Sequence, residues 1–175
     1  RVRHRTLRAA AFDATTKSVY ASMVARRLGL ESRQRQGTRK RNLRLEIYDC
    51  YRPARAVRHF VKWAGDPGDQ KTKSRNYPNL DKSELIGDYI APVSGHSRGA
   101  TVDLSLQECD GRGLRCHALD MGTDFDFFDP RAHTDSPLVT DTQRANRQRL
   151  HAAMQTAGFQ YYAMEWWHYR FEPEP

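Results

Sequence analysis

Residue types that bind metal ions occur in two short segments that lie far apart along the chain. Residues 94–103 contain His96 and Asp103, and residues 165–168 contain Glu165 and His168. Two imidazoles and one carboxylate are a ligand set that leaves a fourth position of a zinc ion open for water. His96, Asp103 and His168 are therefore candidate ligands of a catalytic metal, with Glu165 as a candidate base beside them.

Spacing alone leaves simpler interpretations open. A histidine on an apolar strand is commonly a hydrogen-bonded structural residue, and His133 and Asp120 are alternative ligands. The helical His-Glu-x-x-His motif is absent from the sequence, so any metal site must be assembled from distant segments. Arg52, just before Pro53, is either a surface ion-pair residue or a guanidinium directed at an oxyanion.

Two further groups of residues each have a structural interpretation and a functional one. The first group is a solvated acidic loop or a binding site for a substrate ammonium group, and it comprises Asp124, Asp126 and Asp129. The aromatic side chains between residues 159 and 171 favour a place in the core over a substrate cage.

The candidate ligands can converge only where the chain departs from a straight strand. His96 and Asp103 are seven residues apart, and Glu165 and His168 are three apart. An odd separation on a strand directs two side chains to opposite faces. We therefore expect a bend at Gly99 and either a bulge or the start of a strand near Trp166.

Hydrophobic periodicity predicts the elements that position these residues. Helices are expected over residues 19–28, 54–64 and 140–158, the last beginning with a capping box. Strands are expected over residues 43–48, 100–106 and 159–171. Residues 65–93 are polar and loop-like, and long enough to cover a site. This irregular mixture favours an α+β fold with a central antiparallel sheet packed with helices and a zinc site on the sheet.

Length and composition restrict the class of protein. The chain has 175 residues, which fits one domain spanning 1–175, and no apolar run approaches the roughly 20 residues of a membrane-spanning helix. The net charge is +8, and residues 1–62 hold 17 basic and 4 acidic side chains. The basic clusters lack interleaved aromatic residues and zinc-finger spacing, so a solvated basic face is favoured over nucleic-acid binding.

The redox state of the cysteines would indicate the cellular compartment of the protein. Cys109 and Cys116 bracket a turn-rich segment that can bring them together across a hairpin. A disulfide there would indicate a periplasmic or secreted protein, whereas two free thiols would fit the cytoplasm. Cys50 is expected to be a small buried side chain.

Five ordered motifs resemble those of the VanX-type D-alanyl-D-alanine dipeptidases, which are zinc peptidases related to the D-Ala-D-Ala carboxypeptidases. The motifs occupy residues 49–57, 77–82, 94–104, 120–126 and 165–168. The resemblance implies one zinc ion per chain, held by His96, Asp103 and His168. It also implies that Glu165 acts as general base and then acid, and that Arg52 stabilises the oxyanion.

The resemblance extends to the substrate. It implies that Asp126 pairs with the free amino group of a dipeptide, that Ser94 contacts the substrate and that His133 either supports a metal ligand or is structural. The expected activity is zinc-dependent hydrolysis of D-alanyl-D-alanine, with a small peptide as substrate and no nucleic-acid partner. Residues 1–42 lack the tyrosine-containing segment with which the family usually helps to hold the substrate amine.

Three other functions stay open. A D,D-carboxypeptidase or endopeptidase acting on peptidoglycan stem peptides is the nearest alternative, and by resemblance the long segment 65–93 favours a dipeptidase with a restricted pocket. A zinc-bearing binding module without catalysis is the next, and the presence of both Glu165 and Arg52 argues against it. A nucleic-acid-binding protein is the third, and steeply salt-dependent binding would be its signature.

Overall fold

The computed structural model describes residues 42–110 and 115–172 of the chain. Within them, five strands form one antiparallel sheet. The strands are β1 (Asn42–Asp49), β2 (Thr101–Cys109), β3 (Cys116–Ala118), β4 (Phe159–Tyr162) and β5 (Glu165–Phe171). Their order is β1-β2-β5-β4, and β3 pairs with the end of β2 that β5 does not reach.

Helices connect and flank the strands. The α-helices of the described residues are α1 (Ala54–Ala64), α2 (Lys73–Asn76) and α3 (Asp141–Thr156). Short 3-10 helices lie at Lys82–Leu85, Gly95–Arg98 and Pro130–Ala132. In the described part of the chain, no helix has both the length and the apolar character needed to cross a membrane.

The predicted α+β architecture around a central antiparallel sheet is confirmed. Helix α1 coincides with the helix predicted over 54–64, and α3 with the one predicted over 140–158. The capping box of α3 is present, because Thr140 and Gln143 exchange side-chain to backbone hydrogen bonds. The β-prone run 159–171 forms a hairpin, β4 and β5. The helix predicted over 19–28 lies outside the described residues.

The central strand β2 is buried on both faces. Val102, Leu104 and Leu106 belong to the main hydrophobic core, with Leu150 and Met154 of α3. Thr101, Asp103 and Ser105 alternate with them on the other face, and Asp103 is only 2% exposed. The polar face of β2 is therefore an interior surface, and a charge placed there needs partners within the protein.

Residues 65–93 are more ordered than the expected loop. They contain α2 and the 3-10 helix Lys82–Leu85. Leu85 of the 3-10 helix packs with the end of α1 in a second hydrophobic cluster, together with Tyr77 and Ile90 of the same segment. The buried members of this cluster are Ala64, Tyr77, Leu85, Ile90 and Phe128. The prediction of a plain loop was wrong because helices of about one turn are too short to show an amphipathic period.

A buried lysine holds this segment together. Lys82 is 4% exposed, and its Nζ donates to the carbonyl oxygens of Asp66 and Asp69, both at 2.7 Å. The ammonium also lies 4.1 Å from the centroid of the Trp63 ring. These three contacts replace the water that a lysine ordinarily keeps, so the charge can stay buried.

Arg147 is a second buried cation that donates to backbone carbonyl groups, here those of residues 121–133. Its side chain projects from α3 and donates to the carbonyl oxygens of Met121, His133 and Arg131 at 2.7, 2.7 and 2.8 Å. Residues 121–133 form no strand in the structure, so their carbonyl groups cannot be satisfied by a ladder. The guanidinium of Arg147 takes over that role.

The cysteines are arranged as the sequence suggested. Cys109 and Cys116 form a disulfide that joins the paired ends of β2 and β3. Cys50 is a free thiol and is 1% exposed.

Replacement of Lys82 by methionine tests the buried ammonium. We expect Lys82→Met to lower the free energy of unfolding by about 2–4 kcal/mol, because the carbonyls of Asp66 and Asp69 lose a charged donor and the contact of the ammonium with Trp63 is lost. Urea unfolding followed by tryptophan fluorescence measures the change. Lys62→Met on the exposed face of α1 is the control and should change stability by less than about 0.5 kcal/mol. Equal losses in the two variants would contradict this account.

Candidate metal centre and active site

Three separate elements bring the candidate ligands together. His96 lies on the 3-10 helix Gly95–Arg98, Asp103 on β2 and His168 on β5. One ligand atom from each lies within 4.8 Å of the other two. The arrangement can hold a metal ion, and within the described residues it is the one group of three or more such side chains with this property.

The bend predicted at Gly99 allows His96 to reach β2. Gly99 has φ 84°, in the left-handed region that glycine adopts without steric cost, and it ends the 3-10 helix immediately before the strand. Ser94 begins that helix, since its Oγ accepts a hydrogen bond from the His96 N–H at 3.3 Å. The seven-residue separation of His96 and Asp103 is thus divided between a helical turn and a strand.

His168 reaches the site because β2 and β5 are in register. Asp103 and His168 are directly opposite each other, and His168 Nδ1 lies 2.9 Å from Asp103 Oδ1. Strand β5 begins at Glu165, as the sequence predicted near Trp166. This start brings Glu165 Oε2 to 3.6 Å from His168 Nδ1 despite their odd separation.

A backbone carbonyl orients the imidazole of His96. Nδ1 of His96 donates to the carbonyl oxygen of Cys50 at 2.6 Å, which leaves Nε2 facing Asp103 Oδ2 at 3.2 Å. A hydrogen bond of this kind fixes the tautomer and the ring orientation of a ligating histidine. No sequence pattern indicates this contact, because only the tertiary structure brings the Cys50 carbonyl to His96.

The Asp103 carboxylate is the electrostatic centre of the cluster. Burial alone would raise its pKa, but the charges and hydrogen bonds of His96 and His168 outweigh burial and hold the pKa of Asp103 well below its usual range. The group is therefore ionised at neutral pH, the state in which a carboxylate binds a cation.

Glu165 has the opposite environment. It is 8% exposed, and burial, together with the negative charges of Asp103 and Asp126, raises its pKa well above that of an exposed glutamate. Arg52 opposes this shift. A carboxyl group tuned in this way takes up and returns a proton more readily than an exposed one.

Arg52 lies between the metal-binding cluster and Asp49. Its Nε and Nη2 contact Asp49 Oδ2 at 2.9 and 2.8 Å, and Nη2 is 3.8 Å from Asp103 Oδ2. Two backbone contacts fix its position, since the Arg52 N–H donates to the His96 carbonyl and Ser97 Oγ donates to the Arg52 carbonyl. Sequence reasoning missed Asp49; its position three residues before Arg52, at the end of a strand, was the available signal.

The three acidic residues of the predicted loop have different environments. The Asp126 carboxyl group feels the charges of Asp103 and Arg52, and burial followed by Asp103 raises its pKa to about 7. Asp129 is buried but accepts hydrogen bonds from Asn79 and Arg131, and Asp124 is exposed. Of the three, Asp126 is therefore the one associated with the candidate site.

The alternative ligands do not join the metal-binding cluster. Nε2 of His133 is hydrogen-bonded to Tyr89 Oη at 3.0 Å, and Asp120 accepts hydrogen bonds from Gln143 and Gly122. Of the aromatic run, Trp166, Trp167 and Tyr169 lie in the main core as predicted, and Phe171 packs against it. Tyr161 is 40% exposed, so it does not fit the prediction of a core residue.

Comparison with known proteins assigns the family. The family model described as D-ala-D-ala dipeptidase, Peptidase M15, matches residues 12–175. The chain belongs to this family. Its members are metal-dependent, which agrees with the cluster of His96, Asp103 and His168.

Individual M15 relatives are similar over most of this chain. Proteins named D-alanyl-D-alanine dipeptidase are 42% identical in Enterococcus faecalis and 44% identical in Streptomyces coelicolor, each over 132 residues. That region is 75% of this chain and 63% of each relative. The Escherichia coli protein of the same name is 34% identical over 130 residues, which are 73% of this chain and 54% of the relative. The chain thus spans less than two thirds of the length of these relatives.

Metal binding can be tested directly by removing one ligand. We expect the wild-type protein to retain about one divalent ion per chain after dialysis, and His168→Ala to bind it more than about 100-fold more weakly, because a direct ligand is lost. Calorimetric titration with zinc in the presence of a competing chelator measures the affinity. His117→Ala, on the exposed strand β3, is the matched control and should bind as the wild type does. Undiminished affinity of His168→Ala would exclude this site.

Proposed function

We propose that this chain is a zinc-dependent dipeptidase that hydrolyses D-alanyl-D-alanine. The observation that carries the proposal is the convergence of His96, Asp103 and His168 with Glu165 and Arg52 on one buried face of the sheet. The names of the M15 relatives support the choice of substrate. We also propose that residues 1–175 form one zinc peptidase domain.

The donor geometry fits zinc. The separations are 3.3 Å between His96 Nε2 and His168 Nδ1, 3.2 Å between His96 Nε2 and Asp103 Oδ2, and 2.9 Å between His168 Nδ1 and Asp103 Oδ1. Ligands about 2.0–2.1 Å from a tetrahedral zinc ion lie about 3.3 Å from one another. Two imidazoles and a carboxylate are also the donor types of catalytic zinc sites. The three residues would hold one zinc ion per chain.

The metal and Glu165 would have different roles in hydrolysis. A bound zinc ion supplies Lewis acidity, which polarises a carbonyl group and makes a water molecule more acidic. Glu165 Oε2 lies close to the ligand atom of His168 and is placed to take the proton from the attacking water. Its raised pKa then lets the protonated carboxyl group give the proton to the leaving amine.

Arg52 is suited to the developing oxyanion. Its charge is permanent, since Asp103 and Asp49 raise the pKa of the guanidinium although burial opposes the shift. Asp49 holds the guanidinium through two contacts and so orients it before substrate arrives. A donor fixed in advance stabilises charge without reorganisation during the reaction.

The ends of the dipeptide would be recognised by Asp126 and Ser94. The substrate ammonium is expected to pair with the Asp126 carboxylate, which would offset the cost of burying that charge. Ser94 precedes the first ligand and lies at the start of the 3-10 helix, where it is placed to contact the substrate.

The segment 65–93 supports a small substrate over a peptidoglycan stem. Tyr162 Oη donates to the carbonyl of Asp88 at 2.7 Å, and the Tyr162 ring packs edge-on against His168 at 5.6 Å. Tyr89 is bonded to His133 and feels the charge of Glu165. These contacts tie the segment to the hairpin that carries Glu165 and His168, forming a wall beside the site.

We further propose a periplasmic or secreted location, with a role in the chemistry of the cell wall. The disulfide between Cys109 and Cys116 supports export, because such bonds persist in oxidising compartments.

Replacement of Glu165 separates catalysis from metal binding. We expect Glu165→Gln to reduce kcat for D-alanyl-D-alanine by about 10²–10⁴-fold while retaining about one zinc ion per chain, since the residue moves a proton and is not a ligand. Glu108→Gln, near the disulfide end of β2, is the control and should keep full activity. An assay of released D-alanine combined with metal analysis provides both readouts. Full activity of Glu165→Gln would exclude this mechanism.

Substrate length distinguishes the dipeptidase from the carboxypeptidase or endopeptidase. We expect the zinc-loaded protein to hydrolyse free D-alanyl-D-alanine with a kcat/KM at least about 100-fold above that for a pentapeptide stem ending in the same two residues, because the wall beside the site restricts the pocket. Chelation of the metal should stop both reactions. Preferred cleavage of the stem would establish the alternative activity, and zinc binding without hydrolysis of either substrate would establish a binding module.

A further inference from the structure

The backbone at Asp126 has an unusual conformation. Asp126 has φ 58°, and it is the one non-glycine residue with positive φ in the described ranges 42–110 and 115–172. A residue with a Cβ is disfavoured in the left-handed region, so surrounding structure must hold it there. Asp126 is also the residue for which we propose the contact with the substrate ammonium.

Asn76 supplies that support through two hydrogen bonds. Its Nδ2 donates to the Asp126 carbonyl at 2.8 Å, and its own carbonyl accepts from the Phe128 N–H at 2.6 Å. One residue therefore fixes the peptide groups on both sides of Phe127. The first of these peptide groups, between Asp126 and Phe127, adjoins the Asp126 Cα, so its orientation affects the direction in which the Asp126 side chain leaves the backbone.

Asn76 is itself firmly placed. It is the last residue of α2, and its N–H donates to the Thr72 carbonyl at 2.8 Å. The next residue, Tyr77, is fully buried in the second hydrophobic cluster and packs edge-on against Trp63 at 5.8 Å. The support is thus anchored in a packed core and not in a loop.

The Asp126 carboxyl group lies near enough to the candidate active site to feel its charges. These charges are those of Asp103, Arg52, Asp49 and His96, all of which belong to the metal-binding cluster or contact it. A rotation of the backbone at Asp126 would change the separation of the carboxyl group from these side chains.

We propose that Asn76 is a positioning residue that holds Asp126 in the left-handed conformation in which its carboxylate meets the ammonium group of the dipeptide. The proposal rests on the proposed function, from which it takes the role of Asp126. The competing interpretation is that Asn76 only ties two segments together and contributes to stability.

A neighbouring asparagine provides a matched control for that interpretation. Asn79 Nδ2 donates to Asp129 Oδ2 at 2.7 Å, and so joins the same two segments as Asn76 does. Asp129 accepts hydrogen bonds from Arg131 and Asn79, and we propose no contact between it and the substrate. Loss of Asn79 should therefore affect stability without affecting the amine contact.

The first test separates binding from turnover. For D-alanyl-D-alanine we expect Asn76→Ala to raise KM about 10-fold with kcat changed less than about 3-fold, because the contact with the ammonium is weakened in ground state and transition state alike. Asn79→Ala should leave KM within about 2-fold of wild type. Asn76→Asp has the same size but cannot donate, so it should reproduce the effect of Asn76→Ala if the alanine variant folds poorly.

A double-mutant cycle and an amine-free ligand locate the effect at Asp126. In the Asp126→Asn background, Asn76→Ala should change KM less than about 2-fold, because the two residues act through one contact. The inhibition constant of N-propionyl-D-alanine, which lacks the amino group, should be the same for wild type and Asn76→Ala. Additive effects, or equal weakening of the dipeptide and the amine-free ligand, would overturn the proposal.

The conformation of Asp126 provides a readout that needs no activity. Crystal structures of the zinc-loaded wild type, Asn76→Ala and Asn79→Ala should show positive φ at Asp126 in the first and third only. Positive φ retained in Asn76→Ala would overturn the proposal whether or not the enzyme is active. If the wild-type protein fails to hydrolyse D-alanyl-D-alanine while Asn76→Ala loses the left-handed conformation, the proposed function is wrong and the positioning by Asn76 stands.

Discussion

A carboxylate buried in the middle of a sheet is the constraint around which the rest of the structure is arranged. Asp103 lies on the central strand with 2% of its surface exposed, and an isolated charge there would be strongly unfavourable. Cationic or polarisable groups must therefore reach it, and they come from the loop before α1 (Arg52), a 3-10 turn (His96) and the neighbouring strand (His168). Two of these three partners, His96 and His168, are also the candidate metal ligands.

Segments outside the regular strands and helices also position site residues, and polar side chains hold each of these segments in place. Arg147 satisfies three carbonyls of residues 121–133, and Lys82 satisfies two carbonyls of residues 66–69. Asn76 and Asn79, which belong to the segment 65–93, join that segment to residues 121–133. A backbone segment outside a β-sheet can position a side chain reliably when fixed side-chain donors form hydrogen bonds to its carbonyl groups.

The sequence predicts the parts of this arrangement that depend on local pattern. Strands β1 and β2 and the two longer helices follow from apolar periodicity, and the region of β4 and β5 follows from its β-prone composition. Strand β3 is not predicted as a strand. His96, Asp103 and His168 are candidate ligands because of their side-chain chemistry. The contact of Asp49 with Arg52 is local, three residues apart, and its spacing could have indicated it. The contact of His96 with the carbonyl of Cys50 and the role of Asn76 depend on tertiary proximity, so no spacing rule could reveal them. The burial of Lys82 contradicts the usual behaviour of lysine and could only be found in the structure.

The presence of two hydrophobic clusters indicates which parts of the protein unfold together. The sheet and α3 share one cluster, while the end of α1 and residues 65–93 share the other, to which Phe128 belongs. Separate cores give sub-global unfolding a natural boundary. Opening of the second cluster would release the wall beside the site and the anchor of Asp126 while Asp103 and His168 stay on the intact sheet. Hydrogen exchange would then divide the protein into a slowly exchanging scaffold that retains metal and a faster unit that governs access of the substrate.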